Sequence, residues 1–250
     1  MREQKIYYST FNNYKLCGII NNINDNKEIV VICHARTSSK DSRATTMLAN
    51  ELTNNNVNNF RFDFLFCGES DGDYKEYTVS KMIKNLEDTL DMLTNDYGYT
   101  KFILAGCSMG GRIVSLIDHN RYNVEKLILW YPALDLGRGI LNLPSKRERI
   151  AKKQGYCQIE KGIKLSYEYF KDERRYKAYK NLYSLDIPLL FIHGTGDPYV
   201  SYKSSIIVSK KCKNAKLVLI NGGDHGFHND DNMKEALNNT LAFIKGEIIW

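Results

Sequence analysis

The sequence predicts an α/β protein in which helices cover both faces of a mostly parallel sheet. Short apolar runs, such as 28–33, 101–105 and 216–220, alternate with segments whose apolar residues recur at helical spacing. Strands that alternate with helices pair in parallel through right-handed crossovers. Ser108, flanked two positions away by glycines, stands where one of these strands turns into a helix. In such sheets the reacting groups collect at the carboxyl ends of the strands, so this turn is the natural centre of a site.

The composition is that of a soluble globular protein. Of 250 residues, 43% are hydrophobic and 26% are charged, which is enough apolar material for a substantial core. The formal charge of +6 is modest and its acidic and basic residues are interleaved, which argues against a nucleic-acid surface. No apolar run approaches the length of a membrane span, and the N-terminus lacks a signal-peptide core. The six cysteines lack metal-type spacing, so we expect reduced thiols and a cytoplasmic location.

The first hundred residues predict a hairpin, two strands and two helices. Asparagine tolerates the left-handed backbone of a tight turn. An unbroken β-branched run is typical of a strand buried on both faces. In order, the elements are a hairpin over 4–20 that turns at Asn12 and Asn13, a strand over 28–33, a helix over 41–52, a strand over 58–64 and an amphipathic helix from Val79 that ends at Gly98.

The remaining chain repeats the alternation with one interruption. The predicted elements are strands over 101–105, 124–130, 188–193 and 216–220 and helices over 111–117, 204–211 and 233–244. From 135 to 181 the alternation lapses, and basic residues are interspersed with Tyr and Phe. We therefore expect a single domain over 1–250 with a mostly helical insertion at 135–181.

The turn at 106–110 has the pattern Gly-x-Ser-x-Gly, with Ser108 at its centre. A serine on such a tight strand-to-helix turn adopts a strained backbone angle, so only small residues fit two positions to either side. Its hydroxyl projects beyond the sheet edge, and the next helix directs partial positive charge at a developing oxyanion. The pattern predicts a nucleophilic serine; for an isolated pentapeptide the alternative is a plain glycine-rich turn.

Two more loops with reactive side chains directly follow predicted strands. The loop 193–200 contains Asp197, and the loop 222–227 contains His225. A serine hydroxyl needs a neutral imidazole to take its proton, and a buried carboxylate holds that ring in the right tautomer. The chain order Ser, Asp, His is the order that a triad on this sheet requires.

Each of these assignments has an alternative. Asp197 precedes a proline and could be a turn former only. Asp135, which follows another strand, is a rival acid or a helix cap. His228 is a rival base, although His225 lies closer to the strand and between glycines that let the backbone bend.

Taken together, the segments 106–111, 193–200 and 223–227 resemble the α/β-hydrolase superfamily. Within it the chain is similar to the small cytosolic esterase and lipase group that includes bacterial feruloyl (cinnamoyl) esterases and monoacylglycerol-lipase-like enzymes. The loop 61–72 resembles the loop that these proteins carry after their fourth strand. The resemblance implies an eight-stranded sheet whose second strand is antiparallel, a lid formed by 135–181, and chemistry that needs no metal or organic cofactor.

The resemblance also implies that the backbone N–H groups of Arg36 and Met109 form the oxyanion hole. Here the sequence departs from the group, because His34-Ala35-Arg36 replaces the usual His-Gly-Phe or His-Gly-Gly. Arg36 puts a cation where an apolar ring usually lines the acyl pocket. One hypothesis is that it pairs with a carboxylate or phosphate of the substrate; the alternative is a side chain turned to solvent. We also expect His34 and Tyr169 to contact substrate.

The resulting prediction is a serine hydrolase that cleaves a carboxylic ester of a small or medium acyl group through an acyl-enzyme. Its partner is a small-molecule ester, with no nucleic acid and no stable membrane insertion; the oligomeric state, a homo-oligomer included, is left open. A thioesterase, a peptidase or an acyltransferase would use the same residues. The altered loop at Arg36 also keeps open a non-catalytic ligand-binding protein. Dienelactone-type hydrolases place a cysteine at the centre of the turn, but serine holds that position here, so we expect Cys107 to pack inward.

Overall fold

The computed structural model, which describes residues 3–134, 145–160 and 162–247, contains one large sheet and one small hairpin. The strands of the described residues, numbered along the chain, are β1 (Gln4–Ser9), β2 (Lys15–Asn21), β3 (Glu28–Cys33), β4 (Asn59–Phe62), β5 (Lys101–Cys107), β6 (Val124–Trp130), β7 (Tyr156–Glu160), β8 (Ile163–Ser166), β9 (Leu189–Gly194) and β10 (Ala215–Ile220). The predicted strands are therefore confirmed, and their observed ends differ from the predicted ends by up to two residues.

Eight of these strands form the large sheet in the order β1-β2-β4-β3-β5-β6-β9-β10. β2 runs antiparallel to both of its neighbours, whereas all other adjacent pairs from β4 to β10 are parallel. Cys33 at the end of β3 lies opposite Gly106 of β5, and Gly194 of β9 lies opposite Ile220 of β10. The carboxyl ends of these strands therefore share one edge, and the α/β-hydrolase fold predicted from the sequence is confirmed.

Helices lie on both faces of the sheet. They are α1 (Arg43–Asn54), α2 (Val79–Tyr97), α3 (Met109–Val114), α4 (Ser145–Gln154), α5 (Tyr167–Glu173), α6 (Ala178–Ser184), α7 (Tyr202–Ser209) and α8 (Asp230–Ile244). The long helix α2 is capped by the Thr78 side chain, which accepts the N–H of Lys81, and it ends at Gly98 with φ 72° as predicted. Among the helices of the described ranges, none has the length and apolar character that crossing a bilayer requires.

The core is divided by the sheet into two clusters. Alternate residues of β3 belong to opposite clusters, with Val31 on the face covered by α2 and α3 and Val30 on the face covered by α1 and α8. Both side chains are fully buried. This two-sided burial explains why the β3 sequence is an unbroken apolar run and does not alternate with polar residues.

The insertion is less helical than the sequence predicts, because β7 and β8 form an antiparallel hairpin between α4 and α5. Cys157 and Leu165 are paired and buried, while the adjacent pair of Gln158 and Lys164 lies further from the core. Gly162 supports the turn with φ 81°. The alternation of buried and more exposed residues along β7 and β8 is typical of strands, but it covers only a few residues and the many charged residues nearby obscure it. The part of the predicted insertion from 135 to 144 lies outside the described residues.

The end of the insertion is fixed to the rest of the domain. Arg112 of α3, which is 1% exposed, forms an ion pair of 3.0 Å with Glu173 at the end of α5. Asp172 accepts hydrogen bonds from the backbone N–H and the hydroxyl of Ser80 at the start of α2. Because breaking a buried pair leaves an uncompensated charge, α5 is held firmly against α2 and α3.

Candidate active site

Ser108 lies on the tight turn between β5 and α3 that its sequence pattern predicts. Its backbone has φ 52° and ψ −108°, a region that side-chain-bearing residues rarely adopt. A Cβ at Gly106 would collide with the backbone of Gly110, and one at Gly110 would collide with the carbonyl oxygen of Cys33. The two glycines thus let the turn close upon itself and against the end of β3. Ser108 itself is 8% exposed.

The imidazole of His225 bridges Ser108 and Asp197. Its Nε2 lies 3.1 Å from the Ser108 Oγ, and its Nδ1 lies 2.7 Å from the Asp197 Oδ2. With the carboxylate ionised, Nδ1–H donates to Asp197, and Nε2 is left to accept the hydroxyl proton of Ser108. The structure therefore brings together the serine, the imidazole and the carboxylate that the sequence predicts, at hydrogen-bonding distance.

Asp197 is held as an anion although its side chain is fully buried. Burial alone would raise the pKa of this carboxyl, but hydrogen bonds from His193, from His225 and from the backbone N–H of Val200 outweigh it and hold the pKa well below its usual range. The other carboxylate oxygen, Oδ1, accepts the N–H groups of Tyr199 and Val200, each at 2.8 Å. Both oxygens are thus occupied before any substrate binds.

His193 is a residue whose role sequence reasoning missed. Its Nδ1 lies 2.7 Å from the Ser205 hydroxyl, and its Nε2 lies 3.0 Å from the Val200 carbonyl and 3.2 Å from the Asp197 carboxylate. The Nε2–H donates to these two oxygens, and Nδ1 accepts from Ser205. The available signal was its place as the next-to-last residue of β9, four residues before Asp197.

Two aromatic rings contact His225 as well. The ring centroid of Tyr131 lies 4.6 Å from that of the imidazole, and the ring of Tyr199 lies 5.7 Å away in an edge-on arrangement. Tyr131 is buried beside Cys107 and has φ 36°, whereas Tyr199 is 62% exposed. The imidazole is thereby confined between Asp197, Ser108 and two rings.

Of the two rival residues, the structure describes only His228. His228 pairs with Asp224 at 2.9 Å on the surface, and the structure gives it no hydrogen bond to Ser108 or Asp197. Asp135, the rival acid, lies outside the described residues. The geometry favours His225 over His228 as the base.

Cys107 points into the core, as expected. Its side chain is 2% exposed, and burial raises the pKa of its thiol to about 12. Because the thiolate is the reactive form of cysteine, this environment disfavours a nucleophile.

The predicted oxyanion donors are the backbone N–H groups of Arg36 and Met109. β3 and β5 are paired, so the loop after Cys33 runs beside the turn that carries Ser108. Within 3–134, 145–160 and 162–247, neither N–H donates a hydrogen bond to another group of the chain. Two unpaired N–H groups beside a candidate nucleophile are what an oxyanion hole requires.

His34 supports this loop from within. It is fully buried, its Nε2 accepts the backbone N–H of Phe64 at 3.1 Å, and its Nδ1–H donates to the Ala35 carbonyl at 2.7 Å. Burial lowers the pKa of the ring and so keeps it neutral. Both ring nitrogens are occupied by backbone groups, which favours a role in holding the loop over the predicted contact with substrate.

A buried charge network ties the same loop to the segment after β4. The Lys40 ammonium lies 3.0 Å from Asp63 and 2.7 Å from Glu69, and the Lys40 and Asp63 side chains are fully buried. Asp63 also accepts the backbone N–H groups of Lys40 and Glu69 at 2.6 and 2.9 Å. The loop that carries Arg36 is therefore fixed at both of its ends.

The Arg36 side chain is half-buried rather than turned to solvent. Its Nη1 atom is inaccessible to water and has no hydrogen-bond partner among the described residues. The neighbouring Thr37 donates its backbone N–H to the Tyr77 hydroxyl at 3.0 Å, and the Tyr77 ring stacks on Tyr169 with 5.9 Å between centroids. Tyr169 is fully buried and stacks on Tyr77, which does not favour the predicted direct contact with substrate.

In the described ranges, no group of three or more His, Cys, Asp or Glu side chains is placed to hold a metal ion.

A family model described as serine aminopeptidase, S33, matches residues 24–181, which is more than half of the chain. The chain belongs to this family. A second model, described as TAP-like protein, matches residues 170–243, where Asp197 and His225 lie. The matches agree with the resemblance to α/β-hydrolases that the three loop motifs show.

Several solved structures superpose on almost the whole chain. The Est1E protein of Butyrivibrio proteoclasticus, solved with ferulic acid bound, has a TM-score of 0.80 at 23% identity, over 96% of this chain and 99% of that one. Mouse alpha/beta hydrolase domain-containing protein 10 has a TM-score of 0.80 at 18% identity, over 98% and 100%. The Pyrococcus furiosus esterase Pf2001 has a TM-score of 0.74 at 20% identity, over 98% and 92%. At these identities the likeness establishes the fold. No curated protein sequence matches the chain.

Proposed function

We propose that the protein is a serine hydrolase that cleaves a carboxylic ester of a small or medium acyl group through an acyl-enzyme intermediate. The observation that carries the proposal is the unbroken series of hydrogen bonds from the Ser108 hydroxyl through His225 to the Asp197 carboxylate. An ionised Asp197 and a neutral imidazole are the states that the reaction needs at its start.

In the first half of the reaction, the Ser108 oxygen attacks the ester carbonyl as its proton passes to Nε2 of His225. The tetrahedral intermediate carries a negative oxygen, which the N–H groups of Arg36 and Met109 stabilise by hydrogen bonds made only at that stage. His225, now an imidazolium stabilised by Asp197, returns the proton to the leaving alcohol. The products of this half are the free alcohol and an acyl group on Ser108.

In the second half, water takes the place of the alcohol. His225 removes its proton, the hydroxide oxygen attacks the acyl carbonyl, and Ser108 leaves with the proton from His225. The insertion, with α5 fixed to the domain, would act as the lid over this site and limit how much water reaches the acyl group. A hydrolase still admits one water, whereas an acyltransferase would exclude it in favour of another acceptor.

The comparisons support an ester as substrate, because Est1E was solved with ferulic acid and the Pyrococcus furiosus protein is described as an esterase. The family description favours a second candidate, a serine aminopeptidase, in which the scissile bond is the first peptide bond of a chain. Both candidates use the same acyl-enzyme chemistry at Ser108 and differ in the leaving group. A thioesterase would differ in the same way.

A fluorophosphonate probe and three acyl donors test the proposal. We expect the probe to label the wild-type protein and to leave Ser108→Ala unlabelled. With p-nitrophenyl butyrate, a butyryl thioester and leucine p-nitroanilide compared at equal concentration, we expect the ester to give the highest kcat/KM. Ser108→Ala should reduce ester hydrolysis on the order of 10⁴-fold or more.

Each other result has a definite meaning. Preferred cleavage of the anilide would replace the esterase by the aminopeptidase, and preferred cleavage of the thioester would replace it by a thioesterase. A folded wild-type protein that neither labels nor turns over any donor would make it a ligand-binding member of the fold.

A further inference from the structure

One aromatic side chain beside the candidate base is exposed to solvent. Tyr199 is 62% exposed, and its ring stands almost perpendicular to the His225 imidazole, with 5.7 Å between the centroids. Its backbone is fixed, because its N–H donates to the Asp197 Oδ1 at 2.8 Å and the carbonyl of the next residue, Val200, accepts from His193 at 3.0 Å. The loop therefore holds an open ring at a set distance from the imidazole.

Exposure alone is ordinary for a single aromatic residue, but Tyr199 differs from the others in what it contacts. The other exposed aromatic side chains of the described residues are Tyr7 and Phe11. The Tyr7 hydroxyl donates to Glu69 at 3.0 Å, and the Lys84 ammonium lies 5.6 Å from the centroid of the Phe11 ring. Within the part of the chain that the structure describes, the only ring contact of Tyr199 is with His225.

The imidazole of His225 does not need this exposed ring to keep its orientation. Its two nitrogens contact Asp197 and Ser108, and the Tyr131 ring packs against it with 4.6 Å between centroids. Tyr131 is 2% exposed and therefore belongs to the interior of the protein. Because these three contacts already confine the imidazole, the ring of Tyr199 is available for a group that arrives from solvent.

The leaving group of the ester is the part of the substrate that reaches this ring. In the proposed mechanism, His225 returns its proton to the leaving oxygen, which must then lie within hydrogen-bond distance of the imidazole. The carbonyl oxygen lies at the N–H groups of Arg36 and Met109. β9, which leads to Tyr199, and β3, which leads to Arg36, lie on opposite sides of β5 in the sheet. A substituent on the leaving oxygen is therefore directed to the side of Tyr199, a few bonds from the scissile bond.

We propose that Tyr199 determines specificity for the leaving group, and that the preferred ester carries an aromatic ring on its alcohol, next to the ester oxygen. The inference rests on the proposed function and names the alcohol part of its substrate. Two aromatic rings attract each other in edge-on or offset arrangements, and covering the exposed ring removes apolar surface from water. The fixed backbone lowers the entropic cost of the contact, because only the side chain has to be ordered.

Two esters with the same acyl group test the proposal. Benzyl butyrate and methyl butyrate form the same butyryl-enzyme, and their alcohols have almost equal acidity, so the two esters differ mainly in the contacts that the alcohol makes. Because kcat/KM covers only the steps up to release of the alcohol, it reports on those contacts. We expect the wild-type protein to hydrolyse the benzyl ester with a kcat/KM about 10-fold higher, the value of one partly buried aromatic contact.

Three substitutions locate the origin of that preference. Tyr199→Ala removes the ring and keeps the backbone N–H that Asp197 accepts, so the benzyl-to-methyl ratio should fall roughly 10-fold while methyl butyrate is hydrolysed almost as before. Tyr199→Phe keeps the ring and should keep the ratio. Phe11→Ala is the matched control, because Phe11 is also exposed but follows β1, at the far edge of the sheet. It should leave the ratio unchanged.

A ring that only oriented His225 would give a different result, because Tyr199→Ala would then slow both esters equally. That result would overturn the inference, and so would a benzyl preference that survives Tyr199→Ala or is missing from the wild-type protein. In each of these cases, hydrolysis of methyl butyrate through Ser108 would leave the proposed function standing. If neither ester is hydrolysed, the inference is wrong, and fluorophosphonate labelling of Ser108 then decides whether the proposed function fails with it.

Discussion

The two sides of Ser108 differ in how completely their polar groups are paired. On the side of β9 and β10, both oxygens of Asp197, both nitrogens of His193 and both nitrogens of His225 have partners at 2.7 to 3.2 Å. On the side of β3, the described residues offer no acceptor to the N–H groups of Arg36 and Met109 or to the Arg36 Nη1. The backbone beneath that second side is nevertheless as firmly held, by His34, Lys40 and Asp63.

This difference separates two kinds of preorganisation. The proposed acid–base side is finished in the free protein, because its groups must keep one protonation state and one orientation. The proposed oxyanion side is rigid but unpaired, because its donors are meant for atoms of the substrate and of the transition state. Substitutions on the two sides should therefore affect the protein differently, through kcat on the acid–base side and through stability on the oxyanion side.

The largest effect should come from removing the base on the completed side. We expect His225→Ala to lower kcat for p-nitrophenyl butyrate by about 10⁴-fold or more, because Ser108 then has no proton acceptor. His228→Ala is the matched control; it removes an exposed histidine three residues away and should leave kcat within twofold. Initial rates at pH 7.5 provide the measurement, and the reverse pattern would reassign the base to His228.

A smaller loss should follow when the support of Asp197 is weakened. We expect His193→Gln to lower kcat roughly 10- to 100-fold with little change in KM, because Asp197 loses a donor and the imidazole is misaligned. His119→Gln is a suitable control. His119 is also buried and bonds to the Val114 carbonyl at 2.8 Å, but it does not contact Asp197. A His193 variant with unchanged kcat would show that the two N–H groups of Tyr199 and Val200 hold Asp197 sufficiently.

The smallest effect concerns stability on the unpaired side. Burial lowers the pKa of His34, so below the ordinary histidine pKa of about 6.5 the unfolded chain binds a proton that the folded protein does not. Its contribution to stability is therefore complete above that pH and is lost as the pH falls, by at most about 1.4 kcal/mol per pH unit.

Urea unfolding at pH 7.5 and 5.5 measures this loss. We expect the free energy of unfolding to fall less steeply with acid in His34→Gln than in the wild-type protein, although the variant is less stable at pH 7.5. Equal slopes would mean that His34 takes up its proton in the folded state.

The sequence was sufficient to predict features that depend on a few neighbouring residues. A short local sequence determines each of three features, and each was predicted correctly. They are the burial of β3 on both faces, the amphipathic face of α2 and the tight turn that the glycines around Ser108 allow. The same holds for the proximity of Ser108, Asp197 and His225, since parallel strands bring their carboxyl ends together.

Features that depend on distant partners could not be predicted. The role of His193 depends on Val200 and Ser205, which approach it only after the loop has folded back. His34 and Tyr169 are predicted to contact substrate because one belongs to the loop after β3 and the other to the lid's aromatic residues, but neighbouring backbone and rings enclose them. The hairpin of β7 and β8 was missed because it is short and lies among charged residues.

The backbone angles at Ser108 carry a consequence for how this protein could change. Holding a residue with a side chain at φ 52° and ψ −108° costs about 1–3 kcal/mol of folding free energy relative to an unstrained backbone conformation. Glycine at this position would relieve most of that strain. Selection for thermal stability alone would favour glycine at position 108, and the resulting protein would be inactive. The serine is therefore difficult to explain by its contribution to folding. A more thermostable variant that stays active would need its stabilising substitutions at other positions.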